Sequence, residues 1–320
     1  MTAPERLRAL LAEPGFITMP AVWDGLSAKM TAAAGFRTAF LSGSCCAASR
    51  LGGADLDLIS FGEMFDSFLM VQRAAPDLLV LADGDHGYGN AMNVQRTVRA
   101  YGQAGAAAIL IEDKITPRAL TSAGKPCLPR EEARMKIRAA VQAAKDSGIL
   151  VLARTDCRPT QGIDEAVARI EAFAAEGADI FLLDSPADEA EMRRAVAATG
   201  GKPSFSVLSP GGARATPTGA EAAALGFKIG TFPTGMLSPR RPGCRRGWRR
   251  CVPGNPPPLA PCRRPPSATC SAMATTTPRR SPSSSEAEPR PGDGIGTASA
   301  ALARVTAIVT SWRERSLMLT

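Results

Sequence analysis

The sequence predicts a (β/α)8 barrel of the TIM type, and three observations carry that expectation. From residue 16 to about residue 232, short apolar runs alternate with amphipathic segments, the pattern of repeated βα units. The apolar runs are nearly unbroken, as strands covered on both faces require. Polar residues recur where these runs end, and in such barrels the active site is built at the carboxyl edge of the strands. The chain has 320 residues, room for a barrel of about 250 residues and a tail.

Taken in order, Phe16–Met19 reads as the first strand and Asp24–Ala34 as its helix, with Asp24 at the N-cap. Thr38–Leu41 is the second strand and ends in Ser42-Gly43-Ser44, read as a strand-to-loop turn. A helix over Phe61–Ala74 leads to the third strand, Leu78–Ala82. Met92–Ala104 is helical, and Ala106–Ile111 forms the fourth strand, ending in Glu112-Asp113. A long loop with Pro117, Gly124, Pro126 and Pro129 follows, a candidate lid. Glu131–Lys145 is a helix, Ile149–Ala153 the fifth strand, Asp164–Glu176 a helix and Ile180–Leu183 the sixth strand, ending in Asp184. Weaker strands fall at Pro203–Val207 and Phe227–Gly230. Eight strands with seven helices, five of which are bounded above, make a barrel that lacks its last helix.

The formal charge of +8 invites a nucleic-acid reading, but the arginines crowd Arg240–Arg290 while the earlier chain mixes both signs. A basic barrel surface does not follow, and nucleic acid is set aside. Met1–Leu11 contains Glu5 and no long apolar run, so no signal peptide and no membrane span are expected. The eight cysteines lack zinc-type spacing, which suits reduced thiols and a cytoplasmic location.

The barrel is expected to occupy residues 1–239. Residues 240–320 form a Pro-, Arg- and Ser-rich tail, and as far as about Asp293 it has no apolar periodicity. A disordered tail is one account. A shift of reading frame near residue 240 is another, since in a second frame Gly247–Pro256 can spell Leu-Ala-Ala-Leu-Arg-Ala-Gly-Glu-Pro, the makings of a helix. Resequencing that finds an intact frame would remove the second account.

Chemistry concentrates in Leu81-Ala-Asp-Gly-Asp-His-Gly-Tyr-Gly-Asn90, where a buried strand stops at Asp83 and Asp85, followed by His86, the only histidine. Alone, this is also what a solvated acidic turn looks like. Ser42, Asp83, Asp85, Glu112, Arg154 and Asp184 each follow an apolar run, and together they mark one rim. Acids at a strand end suit a hard cation such as Mg2+, with Mn2+ as the substitute. Asp83 is the candidate direct ligand, Asp85 and Glu112 would hold metal-bound waters, and Asp55 could join from the loop after the second strand. Arg154 offers a planar fork to a substrate carboxylate, or else forms a structural ion pair with Glu112 or Asp184. Ser42-Gly43-Ser44 could present N–H groups and a hydroxyl to a second carboxylate.

These residues carry a resemblance. Ser42-Gly43, Asp83-Gly-Asp-His-Gly-Tyr-Gly-Asn90, Arg96-Thr-Val98, Ala104-Gly105, Ile111-Glu-Asp113 and Ala153-Arg-Thr-Asp156 resemble the isocitrate lyase/phosphoenolpyruvate mutase superfamily over residues 1–239. The resemblance implies an α/β barrel, Mg2+ dependence, and small 2-oxo or 2-hydroxy carboxylate substrates. It also implies a homotetramer that exchanges the last barrel helix. By it Asp83 matches the metal ligand, Asp55, Asp85 and Glu112 the outer metal shell, and Arg154 with Ser42-Gly43 the carboxylate contacts. The lyases of this superfamily carry a Lys-Lys-Cys-Gly-His-type loop, whereas this chain reads Lys114-Ile-Thr-Pro-Arg-Ala-Leu-Thr-Ser-Ala-Gly-Lys125; Cys127 lies beyond it. The acidic motif is most similar to the oxaloacetate decarboxylase branch, although that branch has a late tyrosine and a second histidine that are absent here. The expectation is therefore Mg2+-dependent decarboxylation of oxaloacetate, with Asp83, Arg154 and His86 as catalytic candidates and Ser42, Gly43, Ser44, Tyr88 and Arg154 as substrate contacts. For His86, a supporting hydrogen bond to the metal loop competes with acid–base work. The alternatives are a lyase for a 2-methylisocitrate- or dimethylmalate-like acid, a phosphonate-type mutase, and a silent carboxylate-binding barrel.

Overall fold

The computed structural model describes residues 1–117, 125–208 and 216–233. Helix α1 (Ala3–Ala12) opens the chain, capped by Thr2. Then come β1 (Ile17–Val22), α2 (Gly25–Ala33), β2 (Thr38–Leu41), α3 (Gly43–Leu51), α4 (Phe61–Ala74) and β3 (Leu79–Asp83). They are followed by α5 (Ala91–Gln103), β4 (Ala108–Glu112), α6 (Arg130–Ala144), β5 (Leu150–Thr155) and α7 (Arg158–Ala175). The described chain closes with β6 (Ile180–Leu183), α8 (Glu189–Ala198), β7 (Phe205–Val207), α9 (Gly219–Ala224) and β8 (Ile229–Phe232).

The eight strands form one parallel sheet in the order β6-β5-β4-β3-β2-β1-β8-β7. Between its ends, β6 and β7 meet in a single parallel bridge, Phe181 with Ser204. This is the expected barrel, nearly closed. Asp24 does cap α2, its carboxylate accepting from the Ser27 N–H. The expected disordered tail in place of the last helix, the proposed frame shift, and the loop tip over residues 118–124 lie outside the described residues.

Several boundaries differ from the sequence reading. Ser42-Gly43-Ser44 is not a simple turn: Ser42 is the N-cap of α3, its hydroxyl accepting from the Cys45 N–H at 3.4 Å. Helix α7 begins at Arg158 and breaks at Gly162, where φ is 85°, so the expected start at Asp164 corresponds to its main body. Helix α1 is an addition, and α8 and α9 take the two places between strands that had no bounds above; each is started by a Thr or Asp side chain that accepts from a backbone N–H in the first turn.

Alternation along the strands sorts side chains into two cores. Val80, Ala82, Ile109, Ile111, Val151, Ala153, Phe181 and Leu183 pack outward with the helices. Leu79, Leu81, Ala108, Leu110, Leu150, Leu152, Ile180 and Leu182 fill the barrel interior with Leu7 and Leu10 of α1. Because strand side chains alternate with period two, the next inward positions on β3, β4, β5 and just past β6 are Asp83, Glu112, Arg154 and Asp184. The apolar filling thus ends where charge begins. Among the described residues no helix is long and apolar enough to cross a membrane.

Candidate active site

β3 delivers Asp83 to the rim and β4 delivers Glu112, which is the register partner of Arg154 on β5. Asp83 Oδ2 accepts from the Gly43 N–H at 3.0 Å, and Oδ1 from the Asp85 N–H at 3.2 Å. The first contact is the amino end of α3 aimed at a carboxylate, a favourable dipole arrangement. It also requires glycine: a Cβ at Gly43 would lie 2.8 Å from Asp83 Oδ2 and 3.4 Å from Asp85 Oδ1. Both carboxylate oxygens therefore border the same small space above Gly43.

Asp85 sits in the left-handed region with φ 45°, a conformation that Asp tolerates better than most residues. Its Oδ2 accepts from the Tyr88 hydroxyl at 2.9 Å. Tyr88, expected among the substrate contacts, thus braces Asp85. Gly84 in the same turn is forced, since a Cβ there would lie 2.6 Å from the Leu110 carbonyl oxygen. Asp55 is half-buried, and its charge adds to the field on Asp83.

The electrostatics divide the acids. Burial, and then the neighbouring Glu112, push the Asp83 carboxyl up to about 6 despite Arg154. Burial, then Asp83 and Glu112, push Asp85 well above the carboxylate range. Burial would raise Glu112 as well, but Arg154 and Lys114 outweigh it and hold that carboxyl at about 2. Lys114 Nζ lies 2.6 Å from Glu112 Oε1 and 2.6 Å from Asp57 Oδ1, all three side chains almost fully buried. Burial and then Lys136 push the His86 imidazole down to about 4. His86 is neutral near pH 7, and its buried Nδ1 has no hydrogen-bond partner among the described residues.

Arg154 is tied on three sides. Its Nε and Nη2 donate to Asp156 at 2.8 and 2.7 Å, Nε lies 3.3 Å from Glu112 Oε2, and Nη2 lies 3.4 Å from Asp184 Oδ1. The structural pairs with Glu112 and Asp184 are therefore present, and the bidentate partner is one the sequence reading did not assign, Asp156. Nη1 makes none of these contacts and is the edge left for an incoming anion. Asp156 is placed by Asp113, whose Oδ1 accepts from the Asp156 N–H at 2.9 Å. Lys125 donates to Asp156 and Asp184. Its spacing from both, 31 and 59 residues, left no signal in the sequence.

Ser42 bonds to Ser44 at 3.0 Å through their hydroxyls and donates to the Pro233 carbonyl at 3.2 Å. Cys127 is buried, and burial, followed by Asp113, pushes its thiol well up, so it stays a thiol and is no thiolate nucleophile. Among the described residues no three His, Cys, Asp or Glu side chains converge closely enough to enclose a metal. What Asp83 and Asp85 offer is one anionic corner. That fits a hard divalent ion, which is bound by one or two carboxylates and keeps several waters, and its charge would offset the burial and the neighbouring charge that push both acids up.

A profile described as phosphoenolpyruvate phosphomutase matches residues 7–238. The 2,3-dimethylmalate lyase of Eubacterium barkeri is 36% identical over 238 residues, 74% of this chain and 82% of that protein. A crystal structure of a 2,3-dimethylmalate lyase superposes with a TM-score of 0.71 at 35% identity, covering 79% of this chain and 87% of that one. The oxaloacetate decarboxylase of Paraburkholderia xenovorans is 40% identical over 186 residues, 58% of this chain and 62% of its own length. A phosphonopyruvate hydrolase solved in complex with oxalate and Mg2+ superposes with a TM-score of 0.63 at 32% identity, covering 72% of this chain and 80% of that one.

Proposed function

The chain belongs to the phosphoenolpyruvate phosphomutase family, within the isocitrate lyase/phosphoenolpyruvate mutase superfamily, and from that premise we propose that it decarboxylates a small 2-oxo dicarboxylate, with oxaloacetate as substrate. The observation that carries this reading is an anionic corner at Asp83 and Asp85 facing Arg154, with every described thiol kept protonated by burial and the histidine kept neutral. Retro-aldol cleavage of a 2-hydroxy acid needs a base at the hydroxyl and an acid at the departing carbon. Loss of CO2 from a 2-oxo acid needs neither during bond cleavage.

A divalent cation at Asp83, Mg2+ in this reading, supplies Lewis acidity toward the 2-oxo acid. The protein supplies the rest. The Gly43 and Asp85 N–H groups hold Asp83 in one orientation, and Tyr88 does the same for Asp85. Arg154 presents its Nη1 edge to a substrate carboxylate. Glu112 stays ionised between Lys114 and Arg154 and holds the Nε side of the Arg154 guanidinium. His86 is a neutral neighbour of the turn, and the proton that replaces CO2 comes from water. A cytoplasmic homotetramer is part of the same proposal, with light scattering as its check.

The test is a substrate panel of oxaloacetate, 2,3-dimethylmalate, methylisocitrate and phosphonopyruvate, each with and without Mg2+. Pyruvate release from oxaloacetate faster than free Mg2+ achieves is the expected result. Turnover of 2,3-dimethylmalate with no excess on oxaloacetate would overturn the decarboxylase assignment in favour of a lyase.

A further inference from the structure

Lys125 has no part in the chemistry above, yet its ammonium sits inside the acidic rim. Nζ donates to Asp156 Oδ1 and, at 3.0 Å, to Asp184 Oδ2. The same two carboxylates hold Arg154: Asp156 Oδ1 also receives Nη2 at 2.7 Å, and Asp184 Oδ1 lies 3.4 Å from that Nη2. Asp156 has a side-chain exposure of 0%, Asp184 and Arg154 15% each, and Lys125 24%. Water therefore screens this cluster poorly, and charge balance within it matters.

The backbone that carries Lys125 is fixed. The Ile115 N–H donates to the Pro126 carbonyl at 2.8 Å, Lys114 and Cys127 form an antiparallel bridge, and the Cys127 thiol lies 3.5 Å from the Lys125 carbonyl oxygen. A lysine on such a stem is held at its partners rather than sampling them.

Glu112, Asp156 and Asp184 all lie within ion-pair distance of the Arg154 guanidinium. Three carboxylates against one cation leave an anionic surround in which a further carboxylate would be repelled. Lys125 adds a second cation at the two acids farther along the rim, while Lys114 adds one at Glu112. We propose that Lys125 is a positioning residue: by neutralising Asp156 and Asp184 it leaves the Nη1 edge of Arg154 able to receive an anionic substrate carboxylate. The inference rests on the carboxylate-substrate reading above.

A lysine that merely pins the loop stem would affect stability and nothing else, so the experiment measures ligand binding, kinetics and melting on the full chain. Oxalate is the probe, titrated calorimetrically in Mg2+, alongside oxaloacetate kinetics. Lys125→Met is expected to weaken oxalate and raise KM on the order of tenfold, with kcat changed far less. Lys125→Arg should bind like the parent protein, and Lys125→Met with Asp184→Asn should recover most of the lost affinity by removing one uncompensated charge. A folded Lys125→Met protein that binds oxalate as the parent does overturns the proposal. So does a lowered melting temperature with unchanged Kd, or a double variant that recovers nothing. A parent protein that binds no oxalate overturns the carboxylate reading and this inference together, so the two failures are distinguishable.

Discussion

Asp83→Ala is expected to abolish the oxaloacetate decarboxylation that exceeds the rate of free Mg2+, a loss of several kcal/mol of transition-state stabilisation or roughly a thousandfold. The loss follows from position. Asp83 is the inward residue at the end of β3, and two backbone N–H groups fix its carboxylate. Its alanine variant leaves Asp85 alone at the corner. The same substitution should remove the Mg2+-dependent rise in melting temperature that is expected of the parent protein.

That rise should depend on pH. The Asp83 carboxyl titrates at about 6 in the folded metal-free protein against an ordinary 3.8. A raised carboxyl pKa means that the folded state binds the proton more tightly. The metal-free protein therefore loses stability as pH rises from about 4 to about 6, on the order of 3 kcal/mol from this group. A cation competes with that proton, so Mg2+ should stabilise little below pH 5 and fully above pH 7. Thermal melts at several pH values, with and without Mg2+, read this directly. A Mg2+ shift that is the same at pH 5 and pH 8, or that survives in Asp83→Ala, would place the cation elsewhere.

The rim was legible in the sequence for a geometric reason. Each of β3 to β6 is a short apolar run whose alternate residues face the barrel interior, and the first polar inward residue after each is Asp83, Glu112, Arg154 or Asp184. Register between neighbouring strands brings Glu112 opposite Arg154 without further information. What stayed hidden were partners set by packing across loops. Lys125 meets Asp156 and Asp184, Lys114 meets Asp57, and Asp113 meets Arg169. None of these pairs has a periodic spacing that could announce it. Helix α3 was missed for a different reason. Gly43-Ser-Cys-Cys-Ala-Ala lacks the polar–apolar contrast of a surface helix, because Gly43, Cys45, Cys46 and Ala47 are all buried. The glycine that looked like a turn signal is there so that the helix can approach Asp83.

The largest stability effect is expected away from the candidate catalytic groups, at Asp113→Ala. Asp113 is 3% exposed, yet it serves three donors: the Thr155 hydroxyl at 2.7 Å, the Asp156 N–H at 2.9 Å and Arg169 Nη1 at 3.0 Å. Arg169 is 1% exposed, with Glu165 and Gln161 as its other partners. Removing the carboxylate leaves a buried guanidinium with one counter-charge, Glu165, in place of two and strands a backbone N–H, for a cost of roughly 3–5 kcal/mol. In a domain of this size that corresponds to a fall in Tm on the order of 10 °C. The cost should lie mostly in the stranded charge rather than in a lost attraction. Asp113→Asn combined with Arg169→Met keeps an acceptor for the Asp156 N–H and removes the buried cation, so it should recover more than half of the loss. If the double variant is as unstable as Asp113→Ala, packing around the end of β5 outweighs the ion pair. The recovered variant should also keep its affinity for oxalate, since Asp156 would still be held where it orients Arg154.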